Sequence, residues 1–96
     1  MCTYFIAQIE IYDWDEYKIY LEGYDSIFRK YNGEVLAVDS SPAVLEGKWP
    51  YTRTVVIRFP NHAESMRWYE SEEYQQLVRH RHKSSKADII LVKGRN

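Results

Sequence analysis

The stretch Arg79 to Lys86, RHRHKSSK, packs four lysines and arginines and two of the chain's three histidines into eight positions. Such a cluster could ligate a metal, grip phosphates, hold a substrate anion, move a proton or close a helix. Spacing separates these options. From Tyr74 to His82 the apolar residues recur at helical intervals, and on a helix His80 and His82 point about 200° apart. They cannot share one ion, and no third ligand is near, because the chain has a single cysteine, Cys2, and His62 opens an earlier helix. No metal ion and no cofactor are expected; haem held through His80 or His82 is the weakest reading.

The phosphate option fails on charge. Arg79 and Lys83 share a helical face, yet Glu70, Glu72 and Glu73 precede them, and no aromatic lies between the cations to stack a base. The whole chain balances 13 basic against 14 acidic side chains, so it lacks the excess that binds phosphate backbones. Nucleic acid is not an expected partner. Arg79, Lys83 and Lys86 instead suit the negative end of a helix.

Arg81 differs. It follows Tyr74, Leu77 and Val78 at i+7, i+4 and i+3 and so extends the inward stripe. An arginine placed there pairs with a carboxylate, snorkels to solvent or contacts an anionic ligand. His82 borders the same stripe and could act as a general base, with an unperturbed pKa near 6.5. Tyr17, Tyr20 and Tyr24 form rows on the first helix that suit a core, an interface or a substrate cage. The expected site is a pocket lined by Tyr20, Tyr24, Trp49 and Arg81. There Arg81 would orient an anionic or enolic group, and His82 or Tyr20 would move a proton. The glycines lie too far apart for a phosphate cradle.

The elements that position these residues follow from periodicity. Thr3 to Ile11 alternates as a strand. Asp13, with Glu16 three residues on, predicts a capping box and a helix carrying Tyr17, Tyr20, Leu21, Tyr24, Ile27, Phe28 and Tyr31, which Gly33 stops. Glu34 to Asp39 is a short strand, with VLEG after it a continuation of the pairing beyond a bulge or bend, and KWPYT a loop. Arg53 to Phe59 is β-branched and central. Asn61 and Glu64 open a helix with Ala63, Met66 and Tyr69 inward. A break is expected before Tyr74, with Ser71 as cap. Asp88 to Lys93 is the last strand. The order βαββαβ with right-handed crossovers predicts an α+β, ferredoxin-like sandwich: one four-stranded antiparallel sheet with both helices on one face.

Length and composition fit that fold. The chain of 96 residues is 45% hydrophobic and 28% charged, the balance of a single globular domain over residues 1–96. No segment is long and apolar enough to span a membrane. The start lacks the basic flank of a secretory signal, so a cytosolic protein is expected. Cys2 can form no intramolecular disulfide and reads as incidental rather than reactive.

A two-layer sandwich leaves one sheet face bare. If Phe5, Ile9, Val55, Ile57, Phe59, Ile89 and Leu91 meet the helices, then Tyr4, Ile6, Thr54, Val56, Ile90 and Val92 lie opposite. That face is too apolar for solvent. A second copy packed sheet against sheet would cover it, so a homodimer is expected.

Several strings together resemble a known family: Asp13 with Tyr17 and Tyr20, KYNGE at Lys30 to Glu34, LEGKW at Leu45 to Trp49, and RTVVIRFPN followed by RWYESEEYQQL and Arg81. They resemble the domain of unknown function 1330 family of dimeric α+β barrel proteins across nearly the whole chain. The resemblance implies a ferredoxin-like fold and a homodimer but no reaction. The wider superfamily includes cofactor-free monooxygenases, isomerases and haem proteins, and fold does not fix function. The family pattern covers Tyr17, Gly33, Glu46, Gly47, Trp49, Arg53, Trp68, Tyr69, Tyr74 and Arg81. Glu72 stands where the family often has proline, and the basic segment after Arg81 also departs from it.

Two functions follow as expectations. One is a small-molecule binder or cofactor-free enzyme taking an organic, anionic ligand between helices and sheet or at the dimer seam. The other is a non-catalytic structural or regulatory homodimer that engages a protein partner.

Overall fold

The alternation of Thr3, Phe5, Ala7, Ile9 and Ile11 produces a strand with those five residues buried, β1 (Thr3–Ile11). The computed structural model describes residues 1–95. Asp13 then caps α1 (Trp14–Phe28), its carboxylate accepting from the Glu16 backbone N–H at 3.2 Å. The reciprocal half of the expected capping box is not made. The Glu16 side chain instead bonds His80 across the helix pair, and the Asp13 N–H donates to the Ser84 carbonyl at 3.2 Å.

A single 3₁₀ turn (Arg29–Tyr31) follows, and Asn32 takes the left-handed conformation at φ 63°. The stop is therefore one residue earlier than expected. Gly33 serves a different end: a Cβ there would meet the rings of Phe28 at 2.7 Å and Phe59 at 2.8 Å. It lets the turn lie flat on the core.

β2 (Glu34–Asp39) pairs antiparallel with β3 (Arg53–Phe59), with a bulge between Val35 and Ala37. The bulge falls inside the strand, and no pairing continues through Val44 to Gly47, which are exposed loop. α2 (His62–Tyr69) is capped by Asn61, which accepts from Glu64 N–H at 2.8 Å. Its inward phase is one step from the expected one: Ser65 and Trp68 are buried, Ala63 is exposed, and Met66 and Tyr69 are half-buried. The Trp68 ring decides this, because it fills the centre of the core against Phe5, Phe59 and Tyr74 at 5.2, 5.3 and 4.3 Å between centroids.

The expected break falls at Glu70 and Ser71. The Ser71 hydroxyl donates to the Trp68 carbonyl at 2.7 Å and accepts from Tyr74 N–H at 3.2 Å, ending α2 and starting α3 (Glu72–Ser84) with one side chain. α3 passes directly into β4 (Ser85–Lys93), which starts three residues before the expected strand. β4 pairs antiparallel with β1 in unbroken register.

The sheet order is β2-β3-β1-β4. Both crossovers place their helices on one face, which makes the fold ferredoxin-like. Register sets the opposite face: Ile6 lies beside Val56 and Ile90, and Tyr4 beside Val92. Ile90 is 58% exposed and Val92 38%. The two faces divide as the alternation predicts.

Candidate functional site

Arg81 reaches the site because the last turn of α3 is fastened. Ser84 and Ser85 are buried, and the Ser85 hydroxyl donates to the Arg81 carbonyl at 2.6 Å. Ser84 Oγ donates to the His80 carbonyl at 2.7 Å, while the Ser84 carbonyl accepts from Tyr12 N–H at 3.0 Å. The SSK end of the opening cluster is thus a splice between helix and strand rather than a frayed terminus.

Held this way, Arg81 is only 4% exposed. Its guanidinium carbon lies 5.8 Å from the centre of the Tyr20 ring, within cation–π reach. Arg53, the first residue of β3, enters the same cavity, 5.8 Å from the centre of the Tyr17 ring. The Nε atoms of both arginines are buried without a hydrogen-bond partner. Among the described residues the salt bridges are Arg29–Asp25, Lys30–Glu73, Arg67–Glu64 and His80–Glu16, and none involves Arg81 or Arg53. The structural ion pair that competed for Arg81 is not made. A guanidinium keeps its proton in proteins, so two positive charges face one cavity.

The walls come from α1, α3 and the sheet: Tyr17, Tyr20, Leu21 and Tyr24 on one side, and Ala7, Ile9, Val55, Ile57 and Ile89 on the other. Tyr20 and Tyr74 join α1 to α3 through their hydroxyls, 2.8 Å apart. Tyr24 stacks on Tyr20 with ring centroids 5.8 Å apart and planes 9° from parallel. The cavity holds about 20 Å³, and a single ordered water needs about 10–15 Å³. It is a pre-charged slot of about the volume of a water, partly open to the surface between half-buried residues.

Burial raises the Tyr17 phenol to about 12 although Arg53 opposes the rise. Burial also lifts Tyr20 well above its ordinary value, and the neighbouring Tyr74 adds to the effect. Tyr74 rises for the same first reason, against the charge of Arg81. All three phenols are donors at neutral pH. Beside an oxyanion they can offer a proton but not remove one.

Of the four residues expected to line one pocket, Tyr20, Tyr24 and Arg81 come together. Trp49 does not. Its indole N–H donates to the Thr54 hydroxyl at 3.0 Å, and Thr54 lies on the sheet face away from the helices. His82 is exposed on α3, with its pKa lowered by partial burial and then by the charge of Arg81. Its place outside the cavity lining separates it from the chemistry imagined for it. Arg53 and Tyr74 are the residues that sequence reasoning did not assign to the site, and Tyr17, offered there only as part of a substrate cage, joins them. The alternation of β3 was the available signal, since Arg53 shares the inward phase of Val55 and Ile57.

The family model described as a domain of unknown function, DUF1330, matches residues 2–95. The chain belongs to this family. No curated protein matches the sequence. Solved structures similar to this DUF1330 chain include a protein of unknown function from Rhodopseudomonas palustris. It has a TM-score of 0.82 at 14% identity, covering 99% of this chain and 83% of that one. SnoaB, a cofactor-independent oxygenase from Streptomyces nogalater, has a TM-score of 0.73 at 9% identity over 99% of this chain and 94% of its own. A dimeric protein of unknown function with a ferredoxin-like fold from Bacteroides fragilis has a TM-score of 0.66 at 8% identity, over 97% and 96%. At these identities the DUF1330 chain shares their fold alone.

Proposed function

We propose that this protein binds a small organic anion, a carboxylate or an enolate, between its helices and its sheet. The observation that carries the reading is Arg81, 4% exposed, facing a cavity with an unpartnered Nε and no carboxylate beside it among the described residues. Burying an unpaired charge costs several kcal/mol on the order expected for an isolated ion in a protein interior. A bound anion would supply the missing partner. Arg81 and Arg53 would bind the charge, and the Tyr20–Tyr74 hydroxyl pair would donate a hydrogen bond to a developing oxyanion. Tyr24 and Leu21 are half-buried walls of the slot, and an outward swing of either would widen it for the ligand.

The working unit in this proposal is a homodimer paired through the open sheet face. The exposure of Ile90 and Val92 supports it, as does the register that sets Tyr4, Ile6 and Val56 beside them.

Replacing Arg81 by methionine keeps the length of the side chain and removes the charge. Arg81→Met is expected to abolish the rise in melting temperature that benzoate gives the wild type, while the ligand-free variant melts no lower. An unchanged benzoate response would overturn the proposal.

A second reading has its own observation. The loop between β2 and β3 exposes Leu45 at 93%, Val44 at 49% and Trp49 at 39%, an apolar tip suited to another protein chain. Native mass spectrometry of the purified protein separates the two: a retained small molecule favours the first, and a bare mass with a captured protein partner favours the second.

A further inference from the structure

We infer that the ligand of the arginine site is amphipathic, its acidic head at Arg81 and Arg53 and its apolar chain laid along β1 and β4 toward Met66 and Leu91. This rests on the anion reading above and names the class of molecule that would fill the site.

A second cavity of about 230 Å³ lies between α2 and the edge strand β4, lined by Phe5, by Ser65, Met66 and Tyr69, and by Ile89, Ile90 and Leu91. Phe5 and Ile89 also wall the arginine slot, so the two cavities are neighbours that share two lining residues. Register gives their alignment. Arg53 lies opposite Ile9, and Leu91 lies opposite Phe5. Four residues of one strand therefore connect the charged end to the apolar end, about 13 Å at the usual rise of a strand.

The chemistry of the second cavity is one-sided. Among the described residues its lining holds no charged side chain, and its serine is already engaged, donating to the His62 carbonyl at 2.7 Å. Besides the Tyr69 hydroxyl, the polar groups nearby among the described residues are backbone ones of the edge strand β4. Thioether and aromatic surfaces favour a flexible hydrocarbon or a flat ring. The charged slot alone admits little more than the acid head, and the apolar cavity alone offers no charge to orient one. Together they describe a head and a tail.

The test compares octanoate, acetate and octanol, with binding followed through the Arg81 Nε–H resonance and the amide spectrum. Octanoate is expected to bind wild type about tenfold or more tightly than acetate, because burial of each methylene adds to affinity. Met66→Trp fills the apolar cavity and is expected to remove that advantage while acetate still binds. Leu91→Phe serves the same purpose if the tryptophan variant does not fold. Loss of both acids in Arg81→Met supports the head assignment. If octanoate keeps its full advantage in a folded Met66→Trp or Leu91→Phe protein, the tail inference is wrong and the anion reading stands. Should neither acid bind wild type, or octanol bind as well as octanoate, both are wrong.

Discussion

Tyr17 and Tyr20 are the residues at which the interior becomes sensitive to alkali. Each prefers its protonated form in the folded protein, mainly through burial, so the folded pKa exceeds the unfolded value. The unfolded chain releases these protons first as pH climbs, and folding stability then falls. The contribution is complete below the ordinary tyrosine value of 10.0 and is lost from there toward about 12, the folded value of Tyr17. Urea midpoints taken from neutral pH to strongly alkaline pH should therefore hold level and then drop steeply. Tyr20→Phe should flatten the drop. It should also cost about 1–2 kcal/mol near neutrality, because it leaves the buried Tyr74 hydroxyl without its partner. Were the alkaline limb of the Tyr20→Phe protein as steep as wild type, the site's donors would not be the groups that titrate.

At the scale of elements, Ser71 governs the phase of α3. Its hydroxyl closes α2 and opens α3, so it sets which face of α3 carries Tyr74, Val78 and Arg81 inward. Ser71→Ala is expected to lose about 1 kcal/mol of stability and to weaken benzoate binding, whereas Ser71→Asp should restore both. Chemical denaturation and ligand-induced melting shifts measure the two effects. Phase also explains what could be read in advance. The inward turn of Arg81 was legible because four residues of α3 share one local stripe. Trp68 was missed because α2 is short, and in eight residues the size of one indole outweighs a weak apolar period. Trp49 was assigned to the site because it is aromatic, but the path of a long loop over the far face of the sheet leaves no periodic trace. Arg53 was overlooked for the opposite reason: an arginine opening a strand reads as its solvated end, and only Tyr17 of α1 beside it makes that end half-buried.

For the molecule as a whole, the order of elements and the alternation in β1, β3 and β4 were enough to predict the sheet and its two faces. Local irregularities, the bulge in β2 and the left-handed Asn32, depend on contacts that no short window contains. The bare face makes the prediction for assembly. Ile90→Lys places a charge in the centre of the proposed seam, where Ile90 is paired with Ile6 of the neighbouring strand. Sedimentation should show the wild type as a dimer and this variant as a folded monomer, since Ile90 is not among the residues of the buried core. A variant that still sediments as a dimer would move the seam elsewhere.

The bulge in β2 has a consequence for growth beyond a pair. An extra residue breaks the even row of outward amides and carbonyls that an incoming strand must match, so that margin of the sheet is a poor template. The other margin, β4, is regular over nine residues. A sheet that can be extended from one side only cannot propagate: joining β4 to β4 of a second molecule exhausts the available edges. Assembly along the hydrogen-bonding direction is thereby limited to a closed pair, and the molecule is built to terminate where a two-sided sheet would polymerise.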